Sequence, residues 1–271
     1  MASQWLRRGD GFANRCNRQA ELRSVIEFNL EKNICLCALS ATMTTTNAVD
    51  DKTVVREYFN ATGFDRWRRI YGDGDVNKVQ LDIRKGHQQT VDTVMAWLTE
   101  NDLAGVTVCD AGCGVGSLAL PLAAAGAKVY ASDISAKMVE EAKQRATDTL
   151  EPGQIPEFQV SDLEDLSGKY HTVACLDVLI HYPQDNAADM IAHLSSLAES
   201  RLLLSFAPKT CFYSVLKKIG SFFPGPSKAT RAYLHAEKDV VAILEAQGWK
   251  IERRAMHKTQ FYFSRLLEAV R

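Results

Sequence analysis

Acids, glycines, a histidine and a tyrosine carry most of the chemistry this sequence offers. Asp110 is followed by Gly112, Gly114 and Gly116 at alternate positions in the run VCDAGCGVGS. Glycines at that spacing let backbone approach a ligand closely, where a Cβ would clash. A dinucleotide site spaces its glycines G-x-G-x-x-G and seats a pyrophosphate on a helix N-terminus. Here Ser117 stands where the third glycine would fall, and an acid directly before the turn repels a diphosphate. Such an acid suits a cationic ligand, or an ammonium group that needs a carboxylate. A second acid, Asp133, ends the next apolar run, KVYAS, and is placed to accept the two hydroxyls of a ribose. The alternative for the turn is a tight strand-to-helix connection with no ligand; three glycines weaken that reading because they cost local stability.

Further along, the block CLDVLIHYP puts Asp177, His181 and Tyr182 just past another apolar run. In an open α/β sheet that is the carboxyl edge, where ligands bind. A lone His is more often structural, but this placement favours a functional histidine. Tyr71 follows Trp67 and stands beside Gly72 and Gly74, at the end of an aromatic segment. Arg231 is a candidate for a two-pronged grip on a carboxylate. It lies in or beside a stretch where Lys209, Lys217 and Lys218 mix with Phe212, Tyr213, Phe222 and Phe223. That mixture suits a large, flat, apolar substrate bearing carboxylates, or a membrane surface.

These residues need a scaffold, and the apolar periodicities supply one. Val106–Cys109, Lys128–Ser132, Phe158–Val160, Val173–Leu176 and Leu202–Phe206 read as five strands. Between them, Leu118–Ala125, a segment capped by Ser135, and Met190–Ala198 read as helices, and Ala236–Gln247 as a further one. Trp249–Ala255 and Gln260–Ala269 then read as an antiparallel hairpin. The sum is an α/β fold with a seven-stranded mixed sheet and helices on both faces. Ahead of it, Thr53 caps a short helix interrupted at Gly63, and Lys78–Leu98 forms a longer amphipathic helix with His87 and Gln88 on its edge. We expect residues 51–100 to form a helical arm over the site, residues 101–271 the main domain, and about 207–234 a lid.

The bulk composition excludes several classes. With 32 basic against 33 acidic residues and no basic stripe, nucleic acid is an unexpected partner. No apolar run approaches the ~18 residues that span a bilayer, though peripheral membrane contact stays open. Seven Cys lack metal-type spacing and read as reduced thiols, several of them core, so no protein-bound metal is expected. Residues 1–50 carry too many acids for a transit peptide and no secretory core. The expected reading is an appended, disordered segment or a mis-assigned start before Met43, with a poorly conforming transit peptide second.

The Asp-x-Gly-x-Gly-x-Gly turn resembles the first motif of class I S-adenosylmethionine (AdoMet) methyltransferases. That resemblance implies a Rossmann-like fold with AdoMet held by Asp110, Gly112, Gly114, Gly116, Asp133, Ile134, Asp177 and the pair Asp162–Leu163. For Asp162 an adenine contact and a helix N-cap before LEDL are equally open. A closer resemblance rests on EYFNATGFDRWRRIYGDG, GHQQTV, SDISAKMV, CLDVLIHYP, LSFAPKT, FFPGPSKATRAY and FYFSRLLEAV. These blocks are similar to the magnesium-protoporphyrin IX O-methyltransferases of chlorophyll biosynthesis, over about residues 50–271. The resemblance implies methyl transfer to a propionate of the metalloporphyrin, with Tyr71 and His181 as catalytic residues; Trp67, Arg231 and Tyr182 are our candidates for contact with the substrate. It also implies magnesium chelatase subunits as partners, and a photosynthetic membrane surface in a cyanobacterium-like cell or a chloroplast. Competing readings are an AdoMet methyltransferase of another hydrophobic carboxylate or phenol, a silent porphyrin carrier, and a nicotinamide dehydrogenase.

Overall fold

The computed structural model describes residues 53–72, 74–209 and 233–271. The glycine turn sits where a parallel sheet begins. Strand β1 (Thr107–Ala111) lies in the middle, flanked by β2 (Lys128–Asp133) and β4 (Tyr170–Cys175). The complete order is β3-β2-β1-β4-β5-β7-β6, where β3 is Glu157–Val160, β5 Ala198–Phe206, β6 Lys250–Lys258 and β7 Phe263–Val270. The first five strands pair in parallel, and β7 enters antiparallel between β5 and β6. Central strands read as near-continuous apolar runs because both faces are covered.

One face carries α3 (Lys78–Leu98) and α4 (Ala119–Ala124), whose Val91, Val94, Leu98 and Leu122 pack on Val108, Val129, Leu203 and Leu266. Helix α5 (Ala136–Thr149) follows β2 and buries Met138, Val139 and Ala142. The other face carries α6 (Gln184–Leu197) and α7 (Glu237–Ala246), which join Cys175, Leu202, Leu204 and Leu267 in a second core. Ser135 caps α5 as its sequence suggests, accepting from the Met138 amide. For α3 the cap is Asn77, in a reciprocal box with Gln80.

The arm consists of α1 (residues 53–60), a turn at Ala61, and α2 (Thr62–Ile70). The break therefore falls before Gly63, which continues into α2 instead of ending α1. Its missing side chain serves packing: a Cβ there would lie 2.5 Å from the Tyr58 ring. The expected segment 1–50 lies outside the described residues, as does nearly all of the expected lid.

Candidate active site

Two acids border the glycine turn. Asp110 is 2% exposed in β1, and its Oδ2 meets no hydrogen-bond partner among the described residues. Burial, reinforced by the nearby Asp133 charge and opposed by the Ala119 amide, pushes its carboxyl up to about 7. A buried oxygen with no partner is expensive unless something outside the chain supplies one. Asp133 accepts from the amides of Ser135 (2.8 Å) and Gly114 (3.0 Å), and burial outweighs those bonds to raise its pKa. The turn backbone is fixed by Gly112 and Cys113 amides donating to the Ser132 carbonyl, each at 2.8 Å.

Two glycines show what this turn is shaped for. Gly112 has φ +87, and a Cβ there would strike Val178 at 2.2 Å, so its requirement is internal packing. At Gly114, φ +53, a Cβ would meet nothing within 4 Å. The space over Gly114 is open, and its amide already points at the acid expected to take ribose. An unpartnered buried carboxylate beside this cradle fits a cationic nucleoside such as AdoMet.

The arm closes over the same edge. Ser135, next to Asp133, donates from Oγ to the Phe59 carbonyl (3.1 Å) and contacts Asn60 Oδ1 (2.9 Å), tying the end of α1 to the start of α5. At the far end of α2, Arg84 donates to the carbonyls of Ile70, Arg69 and Gly74, and Arg145 to those of Tyr71 and Arg68. Cations at a helix C-terminus satisfy orphan carbonyls and the helix dipole. Together they fix Tyr71 directly after the last helical residue.

Side chains then form a continuous chain of rings. His181 meets Phe59 edge-on at 5.5 Å between centroids. Phe59 lies 6.4 Å from Trp67, Trp67 5.3 Å from Tyr71, and Tyr71 4.3 Å from His87. The two residues expected to be catalytic, 110 positions apart by number, thus belong to one aromatic wall. Burial holds the His181 imidazole down to about 4, against a smaller upward pull from Asp177, so it is neutral near pH 7. Its Nδ1 is buried without a partner among the described residues. Burial, then the charges of Asp177 and Asp133, raise the Tyr71 hydroxyl well above its ordinary range, so it keeps its proton.

Several expected site residues turn out differently. Asp177 does not offer its carboxylate to a cofactor: Oδ2 accepts from Tyr262 and His87, and Oδ1 from Ser205 and Ser264. Burial raises its pKa, but the bonds from His87, Tyr262 and Ser205 outweigh it and leave the group below its ordinary value. Tyr182 is 8% exposed and belongs to the core beneath α6, because the 3-10 turn Leu179–His181 rotates it inward while His181 stays at the edge. Asp162 caps the turn Leu163–Asp165 by accepting from Glu164, and forms a 3.9 Å ion pair with Arg56. Its neighbour Leu163 is buried, and Ile134 is partly so. Arg231 lies outside the described residues. Among the described residues no group of three or more His, Cys, Asp or Glu could hold a metal ion.

The strand order, the antiparallel β7 insertion, and the acid-glycine turn followed by an acid at the end of β2 define a class I methyltransferase. In agreement, a general methyltransferase-domain model matches residues 108–200, and a model of the magnesium-protoporphyrin IX methyltransferase C-terminus matches residues 175–271. The chain is 64% identical to the magnesium-protoporphyrin O-methyltransferase of Synechocystis, over 84% of this chain and 99% of that one. It is 65% identical to the chloroplastic magnesium protoporphyrin IX methyltransferase of Arabidopsis thaliana, over 81% of this chain and 71% of the relative. A crystal structure of the Synechocystis PCC 6803 magnesium protoporphyrin IX methyltransferase with bound SAH superposes with a TM-score of 0.74, at 63% identity, covering 82% of this chain and 99% of that one. This chain belongs to the magnesium-protoporphyrin IX methyltransferase family.

Proposed function

We propose that this chain methylates a propionate carboxylate of magnesium-protoporphyrin IX, with AdoMet as donor, giving the monomethyl ester and S-adenosylhomocysteine. The observation that carries the reading is the aromatic wall that joins His181 to Tyr71, on an arm tied through Phe59 and Asn60 to Ser135 beside the acid-glycine turn. The names of the Synechocystis and Arabidopsis relatives supply the substrate.

AdoMet, when bound, supplies an electrophilic methyl group on a sulfonium. The cradle at Gly114 would hold it, with Asp110 as counter-charge and Asp133 at the ribose; Leu163 and Ile134 give apolar neighbours for the base. A propionate resembles a Glu side chain, with a pKa near 4.3, so at neutral pH it is already a nucleophile. The protein's task is therefore positioning and exclusion of water. Positioning of this kind is worth roughly 7–11 kcal/mol. In our reading Tyr71 donates a hydrogen bond to the propionate, His181 holds its other edge through the neutral imidazole, and Trp67 forms the wall for the flat ring. Arg231 would grip the second carboxylate. The magnesium belongs to the substrate.

No described helix is long and apolar enough to cross a membrane. The relatives come from a cyanobacterium and a chloroplast, which supports work in a photosynthetic cell or organelle; peripheral membrane contact and chelatase subunits as neighbours belong to our proposal alone.

The test is methyl-labelled AdoMet with magnesium-protoporphyrin IX, following labelled ester. Absence of ester from folded protein sinks the substrate assignment. His181→Ala is expected to lower kcat far more than it weakens AdoMet binding; wild-type turnover would remove His181 from the site.

A further inference from the structure

Helix α3 carries the run Gly86-His87-Gln88-Gln89-Thr90, and three of these residues serve one arrangement. A Cβ at Gly86 would lie 2.3 Å from the Tyr262 ring, so only glycine lets that ring come so close to the helix. The Tyr262 hydroxyl reaches Asp177 Oδ2 at 2.7 Å and Thr90 Oγ1 at 2.9 Å. His87 Nδ1 reaches the same Oδ2 at 2.9 Å. Ser205 and Ser264 donate to Oδ1 at 2.8 and 3.1 Å. Asp177 holds φ +59, a left-handed backbone that a non-glycine residue rarely adopts, and its own amide donates to Ser205 Oγ at 2.8 Å. Strain retained under such a web of bonds points to a function for the carboxylate's position.

The consequence falls on His87. Because a carboxylate only accepts, the Nδ1 that faces Asp177 carries a hydrogen, and Nε2 is the free end. That nitrogen is buried and meets no hydrogen-bond partner among the described residues, on a ring whose centroid lies 4.3 Å from that of Tyr71, tilted by 40°. A carboxylate that orients a histidine, whose far nitrogen awaits a substrate, is an arrangement that moves protons in many enzymes.

We propose that His87 Nε2 is a third contact to the reacting carboxyl group, beside Tyr71 and His181, and that Asp177 is the positioning residue that fixes its tautomer and angle. The proposal rests on the ester-forming reading above and names the group that handles the acid's proton. When the propionate arrives as the acid, its proton passes to Nε2 while the O–H electron pair stays on oxygen. The imidazolium so formed is balanced by Asp177 and donates back to the bared carboxylate. Among the described residues His181 has no hydrogen-bonded carboxylate, which leaves His87 as the histidine equipped to carry that charge.

The test is His87→Asn, whose shorter amide can still donate to Asp177 but lacks Nε2. A hydrogen bond to a charged group predicts a ten- to hundredfold fall in kcat, with AdoMet affinity and melting temperature held near wild type. Turnover within twofold of wild type overturns the proposal. Should the variant fold poorly, wild-type protein with ¹⁵N-labelled histidine decides instead. In complex with S-adenosylhomocysteine, adding magnesium-protoporphyrin IX is expected to shift one Nε2 resonance, whose Nδ1 partner stays protonated. No such change overturns the proposal. The wild-type ester assay separates the two readings: no labelled ester defeats the substrate assignment, whereas normal ester with an indifferent His87→Asn defeats only this one.

Discussion

Asp110 in β1 and Asp177 just after β4 are buried carboxylates on neighbouring strands, yet their surroundings are opposite. Asp177 accepts hydrogen bonds from four side chains and sits below its ordinary pKa. Asp110 has one oxygen without a partner among the described residues and is pushed up to about 7. Burial is common to both, so burial alone says nothing about role. What separates them is who supplies the partners. The protein completes Asp177, which makes it part of the frame; for Asp110 we propose that the ligand supplies the missing partner.

The sharpest way to break that contrast is Asp177→Ala. It strands His87 Nδ1, Tyr262, Ser205 and Ser264 without their acceptor, and loss of a buried charged partner costs about 3–5 kcal/mol. Chemical denaturation should show that loss, and an unchanged midpoint would mean the web is not a brace. Asp110→Asn is next and should act the other way. Losing a charged partner for the ligand is worth about 1.5–3 kcal/mol of AdoMet affinity by calorimetry, while the ligand-free protein melts no lower than wild type. A drop in melting temperature would place Asp110 with the frame after all.

A pH series refines the same point. The folded pKa of Asp110 is raised to about 7, so between about pH 4 and 7 the folded protein holds a proton that the unfolded chain has released. This group's contribution to ligand-free stability is therefore lost as pH rises through that window. AdoMet needs the ionised form, so its affinity should rise across the same window, by up to about tenfold per pH unit. Affinity flat from pH 5 to 8 would deny the counter-charge role. The smallest effect is expected at the glycines. Gly114→Ala fills only open space and should fold with about 1–2 kcal/mol of left-handed strain while weakening AdoMet. Gly112→Ala, aimed at Val178, should hurt folding more than binding; equal behaviour of the two would erase the distinction.

Much of the frame could be read from residue patterns because its signals are local. Strand β2 was expected at Lys128–Ser132 and runs to Asp133, and α3 spans Lys78–Leu98 as expected. The glycine turn and Asp133 announce themselves by spacing alone. What could not be read was long-range pairing. Asp177 was expected at the cofactor because it ends a strand at the ligand edge, but its partners lie 28 to 90 positions away. Tyr182 was misplaced because a three-residue 3-10 turn decides which of two adjacent side chains faces inward. Tyr262 gave no signal beyond an aromatic in a hairpin; the one available hint was Gly86, a glycine inside a helix that otherwise has no reason for one.

Tyr262 lies 85 positions after the acid it braces. As the chain leaves the ribosome, the nucleoside cradle between β1 and α5 has all its own residues long before the hairpin that steadies Asp177 has been made. The frame around Asp177 closes only with late-translated sequence, after Tyr71 and His181 have been made. A chain stalled before β7 would lack the Tyr262 and Ser264 bonds to Asp177, an order in time that the finished molecule conceals.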